Sequence, residues 1–141
     1  MIPSLIRAWG IVAIGCVLAA QAQDTFKSRL SPVPIDAQLA PKIAGHGSVS
    51  ASLSGTKLTL NGTFEGMRSA ATSASLHQSK MTGVRGPMIH ELTVAKAAGG
   101  NVSGAVDLTS AEVEALRKGL VYVVISSEGA PDGNLWGWLL K

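Results

Sequence analysis

The chain has 141 residues, of which 46% are hydrophobic, and 12 basic against 9 acidic residues give a net charge of +3. The single cysteine excludes an intrachain disulfide framework, and the basic residues are too scattered to form the continuous stripe of a nucleic-acid surface. A chain of this length is typical of one domain with a single modest core.

The N-terminal segment has the pattern of a signal peptide. Arg7 precedes an almost wholly apolar run over residues 8–20, and Ala20-Gln21-Ala22 has the small-x-small form of a cleavage site. The run is shorter than the ~20 apolar residues of a membrane span. We expect cleavage after Ala22, a single mature domain over residues 23–141 and a secreted or periplasmic location. The alternative is a lipoprotein that is cleaved before Cys16 and acylated on it.

The rest of the chain is predicted to be all-β. Apolar and small polar residues alternate with the period of two that is typical of half-buried strands. The expected strands cover residues 25–30, 48–54, 58–64, 74–78, 88–94, 102–108, 120–125 and 134–140. Turn residues Gly55-Thr56 predict a hairpin, and "EGAPDG" predicts a turn before the last strand. Short strands at this spacing indicate an antiparallel barrel or sandwich.

One short helix is predicted near residues 110–118. Thr109 and Glu112 have the spacing of a capping box, in which each side chain accepts a hydrogen bond from the other's backbone N–H. Two cations follow in the last turn, and Gly119 can adopt the left-handed conformation that ends a helix. We expect this helix to cover one end of the barrel or to link two strands.

Several stretches, "FKSRLSPVP", "LNGTFEGM", "SASLH", "GVRGP", "DLTSAEVEALRKGLVYV" and "APDGNLWGWLL", resemble the chordin-type CHRD domain. This family occurs as repeats in the animal protein chordin and singly in many microbial secreted proteins. The resemblance covers roughly residues 25–140. It implies an antiparallel barrel or sandwich of immunoglobulin-like or superoxide-dismutase-like form, and it implies little chemistry. Since the predicted mature domain also lacks a G-x-S-x-G nucleophile elbow, we expect no enzymatic activity.

The resemblance also raises the question of a metal site. The family often carries His-x-His in the strand over residues 74–78 and a further histidine after the tyrosine of a later strand. The matching positions here are Ser75, His77 and Ser126, so one histidine of three remains. We therefore expect no cofactor. The alternative is a metal-binding or redox protein of the superoxide-dismutase type, with His77 and His90 as ligands from neighbouring strands.

Without a metal, the three histidines are expected to have ordinary polar contacts. His46 lies between glycines and is expected in a loop. His77 is expected on the polar face of its strand. His90 is expected to pair across the sheet with Glu91 or Ser75.

Two tryptophans lie in the last predicted strand. Strand alternation places Leu135 and Leu139 on one face and Trp136 and Trp138 on the other. The aliphatic face corresponds to the inward positions of the family's last strand, so the indoles are expected to project outward. Either they form an exposed aromatic surface that binds a ligand, or the segment over residues 32–34 folds over them.

The residues thus favour a non-catalytic binding module that contacts a protein partner, a second copy of itself or a surface glycan through Trp136 and Trp138. A structural envelope protein is a further alternative. Neither a nucleic-acid partner nor a membrane span in the mature chain is expected.

Overall fold

The structure, a computed structural model, describes residues 23–33 and 36–141. The strands in chain order are β1 (Asp24–Leu30), β2 (His46–Ser54), β3 (Lys57–Glu65), β4 (Ala71–Gln78), β5 (Met88–Val94), β6 (Gly100–Asp107), β7 (Val121–Ser127) and β8 (Ala130–Trp138). The helix α1 (Ser110–Arg117) connects β6 to β7, and a short 3-10 turn spans Ala40–Lys42. The predicted all-β class with one short helix is confirmed. The predicted signal peptide and the alternative at Cys16 lie outside the described residues.

All neighbouring strands are antiparallel, in the order β1-β2-β3-β6-β5-β4-β7-β8. Backbone hydrogen bonds also join the two outermost strands. Lys27 and Leu140 exchange N–H···O bonds of 2.8 and 3.0 Å, and Ser31 and Trp136 exchange bonds of 3.1 and 2.9 Å. These contacts turn the sheet into a nearly closed barrel, which removes most of the free edge that an open sheet would present.

The interior follows the alternation of the sequence. In β2 and β3 every large apolar side chain points inward and its neighbours point outward. The core residues of these two strands are Val49, Ala51, Leu53, Leu58, Leu60 and Phe64. β7 differs, since it is buried at all of its positions. It is thus covered on both faces, as its β-branched sequence predicts.

Helix α1 covers one end of the barrel and also links β6 to β7. At its N-terminal end Glu112 lies 3.2 Å from His90 of β5, and at its C-terminal end Arg117 lies 3.4 Å from Asp24 of β1. Leu116 is completely buried between these ends. The predicted capping box is present, and Gly119 has a φ of +74°, as expected for the residue that ends the helix.

The prediction for the last turn is wrong in its bounds. The sequence predicts a turn over residues 128–133, but only Glu128 and Gly129 form it, and β8 begins at Ala130 opposite Ser127. The register between β7 and β8 shifts next to this pair, and Gly133 has a φ of +132°. The turn-favouring residues therefore lie in an irregular strand segment, where the missing N–H of a proline is tolerated.

Candidate functional site

The two tryptophans of β8 lie on the outside of the barrel. Leu135 and Leu139 are completely buried in the core, whereas Trp136 and Trp138 lie on the opposite face and are each partly exposed. The face assignment predicted from strand alternation is thus confirmed.

Four rings from three strands meet on this outer face, and we call them the aromatic surface: His77, Tyr122, Trp136 and Trp138. Strand register brings them together, because Tyr122 pairs with His77 of β4 on one side and with Trp138 of β8 on the other. Tyr122 is at the centre, with ring centroids 5.1 Å from His77, 5.5 Å from Trp136 and 4.6 Å from Trp138. Ring pairs at such distances add about 0.5–1.5 kcal/mol each beyond the burial of their area.

The hydroxyl of Tyr122 anchors the loop between β4 and β5. It accepts the N–H of Gly86 at 2.8 Å and donates to the carbonyl oxygen of the same residue at 3.1 Å. His77 Nδ1 lies 2.9 Å from that oxygen as well. A side chain at Gly86 would collide with the carbonyl of Gln78, so only glycine allows this close approach. The loop is therefore fixed to the aromatic surface at one point.

Arg85, the neighbour of this anchor, covers part of Trp136. Its guanidinium carbon lies 4.7 Å from the centroid of the indole, a cation–π distance. One of its nitrogens donates a 3.3 Å hydrogen bond to the carbonyl oxygen of Asp132. Arg85 is otherwise exposed to solvent, so one face of Trp136 carries a positive charge that water can reach.

Trp136 is oriented by packing and not by a hydrogen bond. Its Nε1 is buried and has no acceptor among the described residues. A Cβ at Gly133 would lie 2.6 Å from three atoms of this ring, so the indole edge rests directly on the glycine backbone. An unpaired buried donor costs roughly 1–3 kcal/mol, and the ring contacts with Tyr122 and Arg85 offset that cost.

A small cavity of about 120 Å³ opens between the rings and the loop. Its lining residues are Val33, Gly83, Val84, Arg85, Tyr122, Trp136 and Trp138. Of the segment that was expected to cover the indoles, Val33 reaches the rim of the cavity, and residue 34 lies outside the described residues. The indoles are therefore partly covered, by Val33 and by the loop, and the cavity remains open beside them.

Larger depressions, of about 690 and 560 Å³, lie on the outer side of β1, β2, β3 and β6, and another, of about 330 Å³, lies on β4 and β5. Charged side chains, among them Lys27, Arg29 and Glu65, line much of the first groove. Small polar side chains line most of the second, and the third combines polar and apolar side chains. No side chain from the aromatic surface reaches any of them. We take the smaller cavity as the candidate site, because apolar walls next to a few polar groups are typical of binding sites.

The two histidines of the alternative metal site do not come together. His90 pairs with Leu76, whose side chain is in the core, whereas His77 projects to the outer face. His77 Nε2 lies 2.9 Å from the hydroxyl of Ser75. Ser126 pairs with Ser73, farther along β4. Among the residues that the structure describes, no group of three or more His, Cys, Asp or Glu side chains could hold a metal ion.

The other histidine contacts also differ in part from the predictions. His90 does not pair with Glu91 or Ser75 but lies 3.2 Å from Glu112 of α1, because it points towards the barrel end that the helix covers. His46 is not in a loop but begins β2, where it contacts Glu65 of β3 at 2.7 Å. Both partners lie far away in sequence, so local pattern gave no signal for them.

Glu112 combines two contacts in one carboxylate. Burial opposes its ionisation, but the hydrogen bond from the Thr109 N–H, at 2.9 Å, and the contact with His90 outweigh this effect and lower the pKa of Glu112. The carboxylate caps the helix and also fastens it to β5. It is therefore a structural group at the barrel end, away from the aromatic surface.

Sequence reasoning missed Arg85 and Gly86 as parts of the site. Both belong to a loop with two glycines and a proline, a composition that predicts a turn and not its contacts. The partial signal was the lone Tyr122, since a buried tyrosine hydroxyl needs a partner.

Comparison with known families gives a match to the family model described as CHRD domain, over residues 26–139. That range contains the whole aromatic surface, Arg85 and α1. No curated protein matches the chain. No solved structure matches it. Within residues 23–33 and 36–141, no helix has both the length and the apolar character needed to cross a membrane.

Proposed function

Because this chain belongs to the CHRD domain family, we propose that it is a non-catalytic, secreted or periplasmic binding module whose aromatic surface contacts a ligand. Family membership alone does not define an activity, since function belongs to sites and not to folds. The proposal therefore rests on one observation: an open apolar cavity whose walls include Trp136, Trp138 and Tyr122.

The exposed parts of this cavity favour binding over packing alone. Its rim carries two valines that are far from buried, Val33 at 49% and Val84 at 44% exposure. A ligand that covered them, together with the open parts of both indoles, would remove contiguous apolar surface from water. At about 25 cal/mol per Å², each partly exposed indole would contribute on the order of 1 kcal/mol.

The experiment that tests this proposal is retention of ligands on the immobilised protein. Envelope and secreted fractions of the native host are passed over the wild type and over the double variant Trp136→Ala/Trp138→Ala. The control is the double variant Ser50→Ala/Thr59→Ala, which alters exposed positions of β2 and β3 away from the aromatic surface. We expect a species that the wild type and the control retain and that the tryptophan variant loses.

Circular dichroism and thermal unfolding show whether each variant is folded. If the double tryptophan variant unfolds, the milder Trp138→Leu, which keeps apolar contact with Tyr122, takes its place. Equal retention by a folded tryptophan variant and by the wild type would contradict the proposal and assign the indoles to packing.

A further inference from the structure

We infer that the cavity takes one apolar side chain of a polypeptide and that Arg85 selects an acidic residue beside it. This inference rests on the proposed binding function and specifies its ligand. It follows from three properties of the site: the chemistry of the walls, the size of the cavity and the unpaired charge at its rim.

Apart from Arg85, the walls offer few hydrogen-bonding groups. The Tyr122 hydroxyl is already used twice by Gly86. Trp136 Nε1 is buried against Gly133. A sugar in this cavity would give up hydrogen bonds to water and gain few in return, which costs free energy. An aliphatic side chain gives up no hydrogen bonds to water and packs against the apolar side chains that line the cavity.

The cavity also has room for a side chain. A single water needs only roughly 10–15 Å³ of cavity volume, so about 120 Å³ admits the four carbon atoms of a leucine side chain. Gly83 in the rim has open space where a side chain would begin, which leaves room for a partner's backbone to pass.

Arg85 supplies the charge selectivity. A guanidinium has five N–H donors in a fixed fork, and one donor of Arg85 forms a hydrogen bond with the Asp132 carbonyl oxygen. No carboxylate of the described residues forms an ion pair with it. The remaining donors lie next to the cavity and face solvent, where they suit a carboxylate. The favoured ligand is therefore a segment with an apolar side chain and an acidic neighbour.

NMR titration of the ¹⁵N-labelled protein tests this inference. The probes are the capped tripeptides Asp-Leu-Asp, Asp-Ala-Asp and Lys-Leu-Lys, and the anionic sugar tri-galacturonate. The readout is the shift of the indole N–H signals, assigned with Trp136→Phe and Trp138→Phe.

We expect Asp-Leu-Asp to shift the indole N–H signals. Asp-Ala-Asp should bind at least about tenfold more weakly, because it buries fewer methylene groups. Lys-Leu-Lys should bind about threefold more weakly, the size of an exposed charge effect.

The variant Arg85→Gln should abolish the preference for Asp-Leu-Asp over Lys-Leu-Lys. The matched control is Lys80→Gln, which removes an exposed cation of the same loop outside the cavity lining and should keep that preference. Shifts caused by tri-galacturonate and by none of the peptides would overturn the polypeptide inference and leave the proposed binding function intact. Shifts that Arg85→Gln leaves unchanged for both leucine peptides would overturn the role of Arg85. If no probe shifts the indole N–H signals, the inference is overturned. The retention experiment tests the binding function separately.

Discussion

The outer face of β2 and β3 differs from the outer face of β7, although side chains alternate between the inside and the outside of the barrel in all three strands. On β2 and β3 the outward positions, such as Ser50 and Thr59, are small, polar and exposed. On β7 the outward residues Tyr122 and Val124 are only 1% and 3% exposed. Alternation thus tells which residues share a face, and it does not tell whether that face is covered.

The cover on β7 comes from its neighbours and from one loop. Tyr122 lies among His77, Trp136 and Trp138, and Gly86 of the loop closes over its hydroxyl. This part of the barrel therefore has a second, small apolar layer outside the main core. The described part of the chain places no such layer over β2 and β3, where outward positions such as Ser50 and Thr59 are exposed.

The largest effect that distinguishes the two faces is expected at Tyr122. Tyr122→Ala should lower the free energy of unfolding by about 3–5 kcal/mol, as for an aromatic residue deleted from a core. Tyr122→Phe, which keeps the ring but leaves the Gly86 N–H without its acceptor, should cost about 1–3 kcal/mol. Urea unfolding measures both. A loss below about 1 kcal/mol for Tyr122→Ala would show that the outer layer adds little to stability.

Much of the fold could be predicted from sequence. The hairpin of β2 and β3 and the capped helix rest on local signals, namely alternation, turn residues and the Thr109–Glu112 pair, and the structure contains both. The last turn could not be placed correctly, because the pairing of Ala130 with Ser127 depends on the register of β7 and β8. The local propensity of Pro131 favours a turn, but pairing with β7 places this residue in strand β8.

The site could be predicted only in part, for the same reason. Alternation placed Trp136 and Trp138 outward, since that depends on neighbouring residues of one strand. The contacts of Arg85 with Trp136 and of Gly86 with Tyr122 join positions far apart in the chain. The barrel topology creates these contacts, and no spacing in the sequence encodes them.

A second difference between the two parts concerns closure of the barrel, which depends on Gly137 of β8. A Cβ there would collide with the Ser28 hydroxyl and lie 2.6 Å from the Arg29 carbonyl oxygen and 2.8 Å from Leu30. Gly137→Ala should therefore cost about 1–3 kcal/mol, because β1 must move away from β8.

The control for Gly137 is Gly55 in the hairpin of β2 and β3. A Cβ at Gly55 meets nothing within 4 Å, so Gly55→Ala should cost about 1 kcal/mol through its φ of +64° alone. Thermal and urea unfolding compare the two variants. A loss below about 1 kcal/mol for Gly137→Ala would mean that β1 adapts freely and that the closure is loose.

Helix α1 is joined to β5 and β1 by side-chain contacts, and its attachment should depend on pH. The pKa of Glu112 is lowered in the folded protein, so its stabilising effect is present above the ordinary glutamate pKa, about 4.3, and is lost as the pH falls through the folded value. At pH 7, Glu112→Gln should cost about 1 kcal/mol. This difference from the wild type should shrink as the pH falls below the ordinary glutamate pKa.

The matched control is Glu114→Gln on the same helix. Glu114 is exposed and pairs with Lys118 at 3.0 Å, so its replacement should cost only about 0.3–0.5 kcal/mol. Urea unfolding at several pH values gives both curves. A cost for Glu112→Gln that stays constant from pH 7 to pH 3 would contradict the assignment of the lowered pKa to a stabilising carboxylate.

The smallest effect is expected on the outer face of β2 and β3. Ser50→Ala and Thr59→Ala each remove a hydroxyl from an exposed strand position, and each should change the free energy of unfolding by less than about 0.5 kcal/mol. Urea unfolding of the single variants and of the pair checks this. A loss of more than about 1 kcal/mol for the double variant would show that this face is also covered. The two outer faces would then differ in the chemistry of their covering layers, since both would have one.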